Sequence, residues 1–299
     1  MREPLFMALL ICILTSCEKE VHIPIEYTEP KLVINSLFNT DSLWEVEISA
    51  SQYIYDFGTI PLINDAAVTI NNSTGNTITL VNQGNGLYTS GTEKPQTGQV
   101  YSINVSHTNY ENASSTNQLP GELQVSNIEL QDQTMVSGEQ FRKISITFQD
   151  SPDPDFYMIR IVGGFWVETY DSLGMPDSSL IPYPMWVFSQ SPAVENSNPN
   201  NMQPTIIFKD ELFNGTQYTI DLLVEEYIFG GEKENIKDIY ISISKISEEY
   251  YWYEKSYQAY VSSQNNQFFS QPVQVYTNIE NGLGIFAGFS TQTDTINIP

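Results

Sequence analysis

The chain has 299 residues, of which 40% are hydrophobic and 12% are aromatic. This composition indicates a folded protein with room for two domains, since a disordered chain carries far fewer apolar residues. The chain also carries 36 acidic against 12 basic side chains, for a formal net charge of −24. Because so acidic a surface repels phosphate groups, the sequence predicts no nucleic-acid partner.

The first segment is a short apolar run, LFMALLICILTSC over residues 5–17, preceded by Arg2. A bilayer-spanning helix takes about 20 apolar residues, so this shorter run predicts a signal peptide over residues 1–16. Its ending, Leu14–Cys17 (LTSC), resembles the bacterial lipobox. That resemblance implies that Cys17 is acylated and anchors the protein to the outer membrane, because two or more acyl chains hold a protein durably. The alternative is an ordinary cleaved signal with an incidental cysteine.

Residues 17–30 are charged and contain prolines, which predicts an extended tether between the membrane and the fold. The start of this tether, Glu18–Glu20 (EKE), resembles the acidic signal that follows the lipidated cysteine in surface-exported lipoproteins of Bacteroidetes. A simple solvated tether is the alternative. Cys12 leaves with the signal and Cys17 is expected to carry lipid, so no thiol remains for a disulfide, a metal or a nucleophile. No cofactor is predicted.

Residues 31–115 contain short runs of β-type residues separated by polar turns. Trp44, Val46 and Ile48 alternate with polar residues, as is typical of a half-buried strand, and Asn71–Asn76 is a clear turn. This spacing predicts an N-terminal Ig-like β-sandwich. The order of its aliphatic, glycine and tyrosine positions also resembles the transthyretin-like and carboxypeptidase-regulatory modules, which implies a spacer or platform rather than a catalyst.

A small, polar segment, Ala113–Gly121, predicts a domain boundary, after which a larger antiparallel β domain follows over residues 121–299. Within it we expect a long connection over Asp171–Pro184, because this stretch is rich in proline and polar residues. One amphipathic helix is predicted at about 247–262, capped by Ser247, with its aromatic face in the core. The predicted fold is therefore mainly β, with two β domains and one helix.

One acidic turn is a weak candidate for a calcium site. Asp150, Asp153 and Asp155 offer the hard oxygen ligands that Ca²⁺ prefers. Their spacing departs from that of an EF-hand loop, and Pro152 and Pro154 stiffen the turn. A solvated turn is therefore favoured over calcium binding, and no other metal site is predicted.

Two tryptophans flank the long connection in the second predicted domain. Exposed aromatic side chains can contact glycans or partner proteins, whereas buried ones form core. The sequence favours a core position for most aromatic residues here. It leaves Trp166 and Trp186 as candidate contacts for a glycan or peptide ligand or for a partner protein.

The sequence gives little support for catalysis. A nucleophilic triad needs a general base, usually histidine, and the only histidines are His22, in the tether, and His107. The acidic residues offer many carboxylate pairs, but no motif selects one pair for glycoside hydrolysis. We therefore expect a non-catalytic protein. An enzyme that acts on a glycan or a peptide is the third possibility, after two non-catalytic functions.

The end of the chain carries the most specific pattern, PVQVYTNIENGLGIFAGF over residues 272–289. Together with YTEPKLVIN over residues 27–35, the lipobox and the tyrosine-rich helix, it resembles a Bacteroidetes lipoprotein family known as domain of unknown function 4249 (DUF4249). A structural turn is favoured over a phosphate-binding loop, because the glycines precede neither a helix nor a basic residue. The residues of this family-motif turn are Asn278, Glu280, Asn281, Gly282 and Gly284.

Members of this family often accompany TonB-dependent outer-membrane transporters, so the resemblance implies a role near nutrient uptake. We expect a surface-exposed, lipid-anchored protein of the outer membrane. It would capture a glycan or peptide ligand for such a transporter, or dock onto the transporter itself. A structural or adhesive surface protein is the alternative.

Overall fold

Strands form where apolar residues alternate with polar ones, because successive side chains of a strand point to opposite faces. In the strand Glu45–Ala50, for example, Val46 and Ile48 are buried while Glu45 and Glu47 are exposed. The period-two pattern in the sequence therefore marks the buried face of the sheet.

The structure, a computed structural model, describes residues 27–53, 55–170, 175–195, 197–225, 236–265 and 273–297. These ranges contain seventeen strands and one helix, α1 (Glu248–Asn265). The strands are β1 (Leu32–Phe38), β2 (Glu45–Ala50), β3 (Ala67–Asn72), β4 (Thr77–Thr79), β5 (Val81–Gly84), β6 (Leu87–Thr89), β7 (Val100–His107), β8 (Tyr110–Gln118), β9 (Gln124–Val136), β10 (Glu139–Gln149), β11 (Phe156–Tyr170), β12 (Pro176–Pro184), β13 (Val187–Ser189), β14 (Thr205–Lys209), β15 (Gln217–Glu225), β16 (Ile236–Ile246) and β17 (Leu283–Asn297).

The strands form three sheets. A nine-stranded sheet has the order β12-β11-β16-β17-β1-β2-β6-β5, with β14 also paired to β11. Two four-stranded sheets have the orders β13-β15-β10-β9 and β4-β3-β7-β8. The predicted fold class, mainly β with antiparallel sheets and one helix, is confirmed for the described residues.

Two large apolar cores divide the molecule into two units. In the first unit, β1–β8, one core brings Val46 of the long sheet against Ile103 of a four-stranded sheet. In the second unit, β9–β17 with α1, another core joins Ile146 of β10 to Ile159 of β11. Each unit is thus a sandwich of two sheets around its own core.

The two units share the nine-stranded sheet through one parallel pair. Strand β1, near the start of the fold, lies beside β17, at its end, with Val33 opposite Leu283. Phe286 of β17 belongs to the first core, where its ring centroid lies 4.7 Å from that of Phe38. The C-terminal strand therefore completes the N-terminal sandwich.

The segment 113–121, predicted to be a domain boundary, begins inside β8, the last strand of the first unit. Ala113 and Leu119 are buried in the first core, and Ser115 donates a hydrogen bond to the backbone carbonyl of Asn278 at 2.8 Å. Ala113 also lies close to the C-terminal motif, since a Cβ on Gly282 would be 3.2 Å from its side chain. The predicted boundary segment is therefore packed against the end of the chain.

The long connection predicted over Asp171–Pro184 also differs in the structure. Its second part is β12, which pairs with β11 so that Val162 lies opposite Pro184. Proline cannot donate to a strand ladder, but β12 lies at the edge of the nine-stranded sheet, where a missing donor is tolerated. The prolines that indicated a loop therefore mark an edge strand.

The helix begins where the sequence predicts. The Ser247 hydroxyl accepts a hydrogen bond from the Tyr250 N–H at 3.3 Å, as an N-cap residue does. Tyr250 and Tyr251 are buried, whereas Tyr257 and Tyr260 are 45% and 39% exposed. The prediction that the whole aromatic face lies in the core is therefore wrong beyond the first turns.

Candidate functional site

Strand β11 brings charged residues from three parts of the chain together. Asp155 directly precedes this strand, Lys209 of β14 lies opposite Phe156, and Lys245 of β16 lies opposite Tyr157. Asp210 follows Lys209 and therefore also lies at this end of β11. The register of two neighbouring strands thus assembles a charged site that no local stretch of sequence encodes.

Three buried carboxylates form the centre of this site, and we call them the aspartate cluster. Asp150, Asp155 and Asp210 are only 3%, 6% and 3% exposed. One carboxylate oxygen from each lies within 4.8 Å of the others. Buried carboxylates require partners, because removal from water strongly disfavours an unpaired charge.

Hydrogen bonds from the protein occupy the cluster. Asp150 accepts from the Tyr157 hydroxyl and from the Gly215 N–H at 2.7 Å. Asp155 accepts from the Ser151 hydroxyl at 2.5 Å. Asp210 accepts from the Asp155 N–H at 2.8 Å. The cluster therefore joins the β10–β11 turn to the segment between β14 and β15.

A lysine supplies positive charge to the cluster. The ammonium nitrogen of Lys245 lies 2.5 Å from Oδ2 of Asp155, and the two side chains are only 13% and 6% exposed. The same ammonium donates to the Ser151 hydroxyl at 3.0 Å. Lys245 therefore stands where a bound cation would otherwise balance these carboxylates.

Burial changes the acidity of two groups in the cluster. Burial raises the pKa of the Asp210 carboxyl, and the nearby carboxylates of Asp150 and Asp155 raise it further, while the hydrogen bond from the Asp155 N–H opposes them. Burial and the hydrogen bond to Asp150 likewise raise the pKa of the Tyr157 phenol. Tyr157 therefore remains a hydrogen-bond donor.

The cluster differs from the calcium candidate set by one residue. Asp150 and Asp155 are brought together, but Asp153 is exposed at the tip of the turn. Asp210 takes its place, and sequence reasoning missed it because it is 55 residues beyond Asp155 along the chain. The available signal was an acidic residue directly after a strand, which occurs too often to select this one.

An open cleft adjoins the cluster at the boundary between the two units, and we call it the junction cleft. Its volume is about 700 Å³, within the range of ligand pockets. Two lysines, Lys209 and Lys245, also line it. Its acidic residues are Asp153, Asp155, Asp210, Glu211, Glu248 and Glu249.

Protein donors hold several carboxylates of the cleft in place. Glu249 accepts from the side-chain amide of Asn117 at 2.5 Å, and Glu248 accepts from the indole N–H of Trp252 at 3.1 Å. Glu211 lies 3.3 Å from the ammonium of Lys209. Six carboxylates against two lysines leave an excess of negative charge, so the cleft suits a cationic group.

The family-motif turn acts as a structural clamp. The side chain of Asn278 donates to the Phe286 carbonyl at 2.7 Å and accepts from the Phe286 N–H at 3.0 Å. Glu280 makes backbone hydrogen bonds in both directions with Ser114 of β8, and the Asn281 side chain bonds the Asn112 carbonyl at 3.4 Å.

Two glycines of this motif meet neighbouring backbone directly. A Cβ on Gly282 would lie 2.9 Å from the Leu32 carbonyl oxygen, and one on Gly284 would lie 2.1 Å from that of Ile34. Asn281 has a φ of 58°, so the turn requires a left-handed conformation. These residues position strands and show no ligand-binding geometry.

Of the two candidate tryptophans, Trp186 is the one whose side chain the structure describes. Trp186 is 53% exposed although Met185 and Val187 beside it are buried, and it is not part of the junction cleft. Cys17 and the side chain of Trp166 lie outside the described residues. Among the residues that are described, no helix has both the length and the apolar character to cross a membrane.

Comparison with known proteins identifies a family. A search among curated proteins finds none that matches the chain. The family described as "Domain of unknown function (DUF4249)" matches residues 18–295, which is nearly the whole chain and includes every residue of the cleft and of the motif. The chain therefore belongs to the DUF4249 family.

Proposed function

We propose that this protein is a lipid-anchored, non-catalytic protein of the outer membrane that captures a ligand in the junction cleft for a TonB-dependent transporter. The observation that carries this proposal is the cleft itself, which is open, of ligand size and lined by six carboxylates. The lipobox ending at Cys17 supports the anchor.

The charge of the cleft selects the chemistry of the ligand. A glycan or a peptide could fill about 700 Å³. The excess of carboxylates favours a ligand with positive charge, because like charges would repel an acidic ligand, whereas a neutral sugar would offer the carboxylates hydrogen bonds but no opposite charge. A peptide with basic side chains therefore fits better than a neutral glycan.

The contacts of the carboxylates support binding rather than catalysis. Asp155 forms an ion pair with Lys245 at 2.5 Å, and Asp210 accepts a hydrogen bond from the Asp155 N–H. A catalytic acid or base must reach a proton of the substrate. Side chains that are buried and already bonded are poorly placed for that step.

Calorimetry with three probes tests ligand capture by the purified full chain. We expect pentalysine to bind, and pentaglutamate and a neutral oligosaccharide to fail. Asp153→Asn with Glu211→Gln should weaken the binding, and rising salt should weaken it further. Asp132→Asn, at an exposed site outside the cleft, is the control and should have no effect. Equal binding of pentalysine by the double variant would contradict the proposal.

Co-purification tests the transporter partner. The tagged full chain, extracted in mild detergent, should bring down an outer-membrane transporter in stoichiometric amount. A structural or adhesive protein would instead bring down surface polymer or further copies of itself. Recovery of the chain alone would contradict a stable complex with a transporter.

Hydrolysis by paired carboxylates is the second candidate function. Asp155 and Asp210 belong to a group of buried carboxylates whose oxygens lie within 4.8 Å of one another, glycosidases act through a pair of carboxyl groups, and the pKa of Asp210 is raised. Turnover of a polysaccharide or peptide by the purified chain, and its loss in Asp210→Asn, would establish this function in place of simple capture.

A further inference from the structure

A group of apolar side chains is exposed on the first unit near the point where the tether joins it. We call this group the apolar patch. Clustered apolar exposure marks an interaction surface, whereas single exposed residues are ordinary. Its members are Tyr27 (67% exposed), Tyr55 (54%), Phe57 (92%), Ile60 (64%) and Leu62 (50%).

Hydrogen bonds attach the patch to the start of the fold. Ser51 and Lys31 exchange two bonds, from the Lys31 N–H to the Ser51 hydroxyl and from the Ser51 N–H to the Lys31 carbonyl, both 2.9 Å. The Ala50 N–H donates to the Pro61 carbonyl at 2.9 Å. The connection between β2 and β3 is therefore held beside the first residue after the tether.

Ring contacts extend the patch to the tether itself. The ring of Tyr27 lies 5.3 Å from that of Tyr53, which lies 5.5 Å from that of Tyr55. Tyr27 belongs to the predicted tether, residues 17–30, so the end of the tether lies at the patch.

The length of the tether limits the distance between Cys17 and the patch. Nine residues lie between Cys17 and Tyr27, and the ten Cα–Cα steps that join the two residues reach at most about 35 Å when fully extended. The patch also carries little charge, because Asp56 is the only Asp, Glu, Lys or Arg in the stretch 55–63. A chain of net charge −24 thus offers a weakly charged, aromatic surface where its anchor begins.

We infer that the apolar patch rests on the lipid bilayer that holds the acylated Cys17. Tyrosine and phenylalanine suit this position, since aromatic side chains are enriched at membrane interfaces. The patch would add a second contact with the bilayer to that of the acyl chains. It would also fix which end of the first unit faces the lipid. This inference rests on the proposed lipid anchor.

A nitroxide label measures the depth of the patch. The acylated chain should contain no other free thiol, because Cys12 leaves with the signal and Cys17 carries lipid. Thr59→Cys can therefore be labelled alone, with Phe57 and Ile60 intact. The labelled full chain is anchored in phosphatidylcholine vesicles, and collisions of the label with oxygen and with a water-soluble nickel complex are compared.

We expect oxygen collisions to rise and nickel collisions to fall at position 59 when the chain is anchored. A label at Glu139→Cys, an exposed site at the start of β10, is the control and should stay in water. Adding Phe57→Ser and Ile60→Ser to the Thr59→Cys chain should return its label to water while the protein remains on the vesicles.

Three results would overturn the inference, and they are distinguishable. If the chain floats with the vesicles but the label at 59 stays in water, the patch does not touch lipid although the anchor holds. If the chain does not float and Cys17 itself takes up label, the anchor is absent and the proposed function fails too. A label at 59 shielded from both reagents without vesicles would show that protein covers the patch.

Discussion

Lys245 and Asp155 form a buried ion pair with an N···O distance of 2.5 Å, in strand β16 and in the residue before β11. The pair lies at the wall of the junction cleft. Its energetic role follows from its surroundings, because Asp150 and Asp210 place two further carboxylates beside it. Lys245 therefore offsets part of the negative charge of the aspartate cluster, which burial would otherwise make unfavourable.

Replacing Lys245 by methionine should destabilise the protein strongly. Removal of one partner from a buried pair leaves an unpaired charge and costs about 3–5 kcal/mol. Denaturant unfolding measures this loss. Lys143→Met is the matched control, because its pair with Asp221 is 31% and 42% exposed and should contribute about 1 kcal/mol or less. Equal losses in the two variants would contradict the role assigned to Lys245.

Calcium should not stabilise the native protein. A bound ion raises stability by mass action, but the ammonium of Lys245 already lies against Asp155 and Ser151. Thermal unfolding with millimolar CaCl₂ and with MgCl₂ as control should therefore give the same midpoint as in EDTA. An increase that depends on calcium and disappears in Asp150→Asn would instead establish a calcium site.

Replacing Asp210 by asparagine should stabilise the protein at neutral pH. The pKa of Asp210 is raised in the fold, so between its ordinary and its raised value the native state binds more protons than the unfolded state. The free energy of unfolding therefore falls as pH rises through that window. Asparagine carries no charge and therefore removes this loss of stability. Its side-chain oxygen can still accept a hydrogen bond from the Asp155 N–H.

The pH profile provides the test for Asp210. Asp210→Asn should unfold at a higher denaturant concentration than the wild type at pH 7, and the difference should shrink as the pH falls toward the ordinary pKa of aspartate. Asp153→Asn is the control, since Asp153 is exposed. A difference independent of pH would show that the change acts through packing alone.

The family-motif turn should be intolerant of a side chain at Gly284. This residue has a φ of +104°, and its Cβ would lie 2.1 Å from the Ile34 carbonyl oxygen. Gly284→Ala should therefore cost more than about 3 kcal/mol, above most point mutations. Gly138→Ala has a similar φ of +91° with nothing within 4 Å and should cost about 1–2 kcal/mol. Similar losses would contradict a steric role for the motif.

Local patterns in the sequence predict much of this fold. Alternation at Val46 and Ile48 marks a strand, and Ser247 marks the start of the helix. The motif residues around Asn281 indicate a turn, which the structure contains with φ of 58°. Each of these features depends on residues that are close together in the sequence, so it can be predicted without knowledge of the fold.

Long-range pairing accounts for what the sequence could not predict. Nothing near Val33 indicates that it lies opposite Leu283, and nothing near Asp155 indicates Asp210 as its partner. Strand β12 tolerates its prolines because it lies at the edge of the nine-stranded sheet. That position depends on the strand order of the whole sheet and cannot be predicted from the local sequence. The junction cleft combines such pairings, so only the assembled fold shows it.

Acylation of Cys17 tests the central claim most directly. Cells that express the full chain are labelled with radioactive palmitate, and the protein is recovered from the outer-membrane fraction. We predict label on the wild type and on Cys12→Ala, whose altered residue leaves with the signal, and none on Cys17→Ala. Label that persists on Cys17→Ala, with the protein still in the outer membrane, would contradict the account.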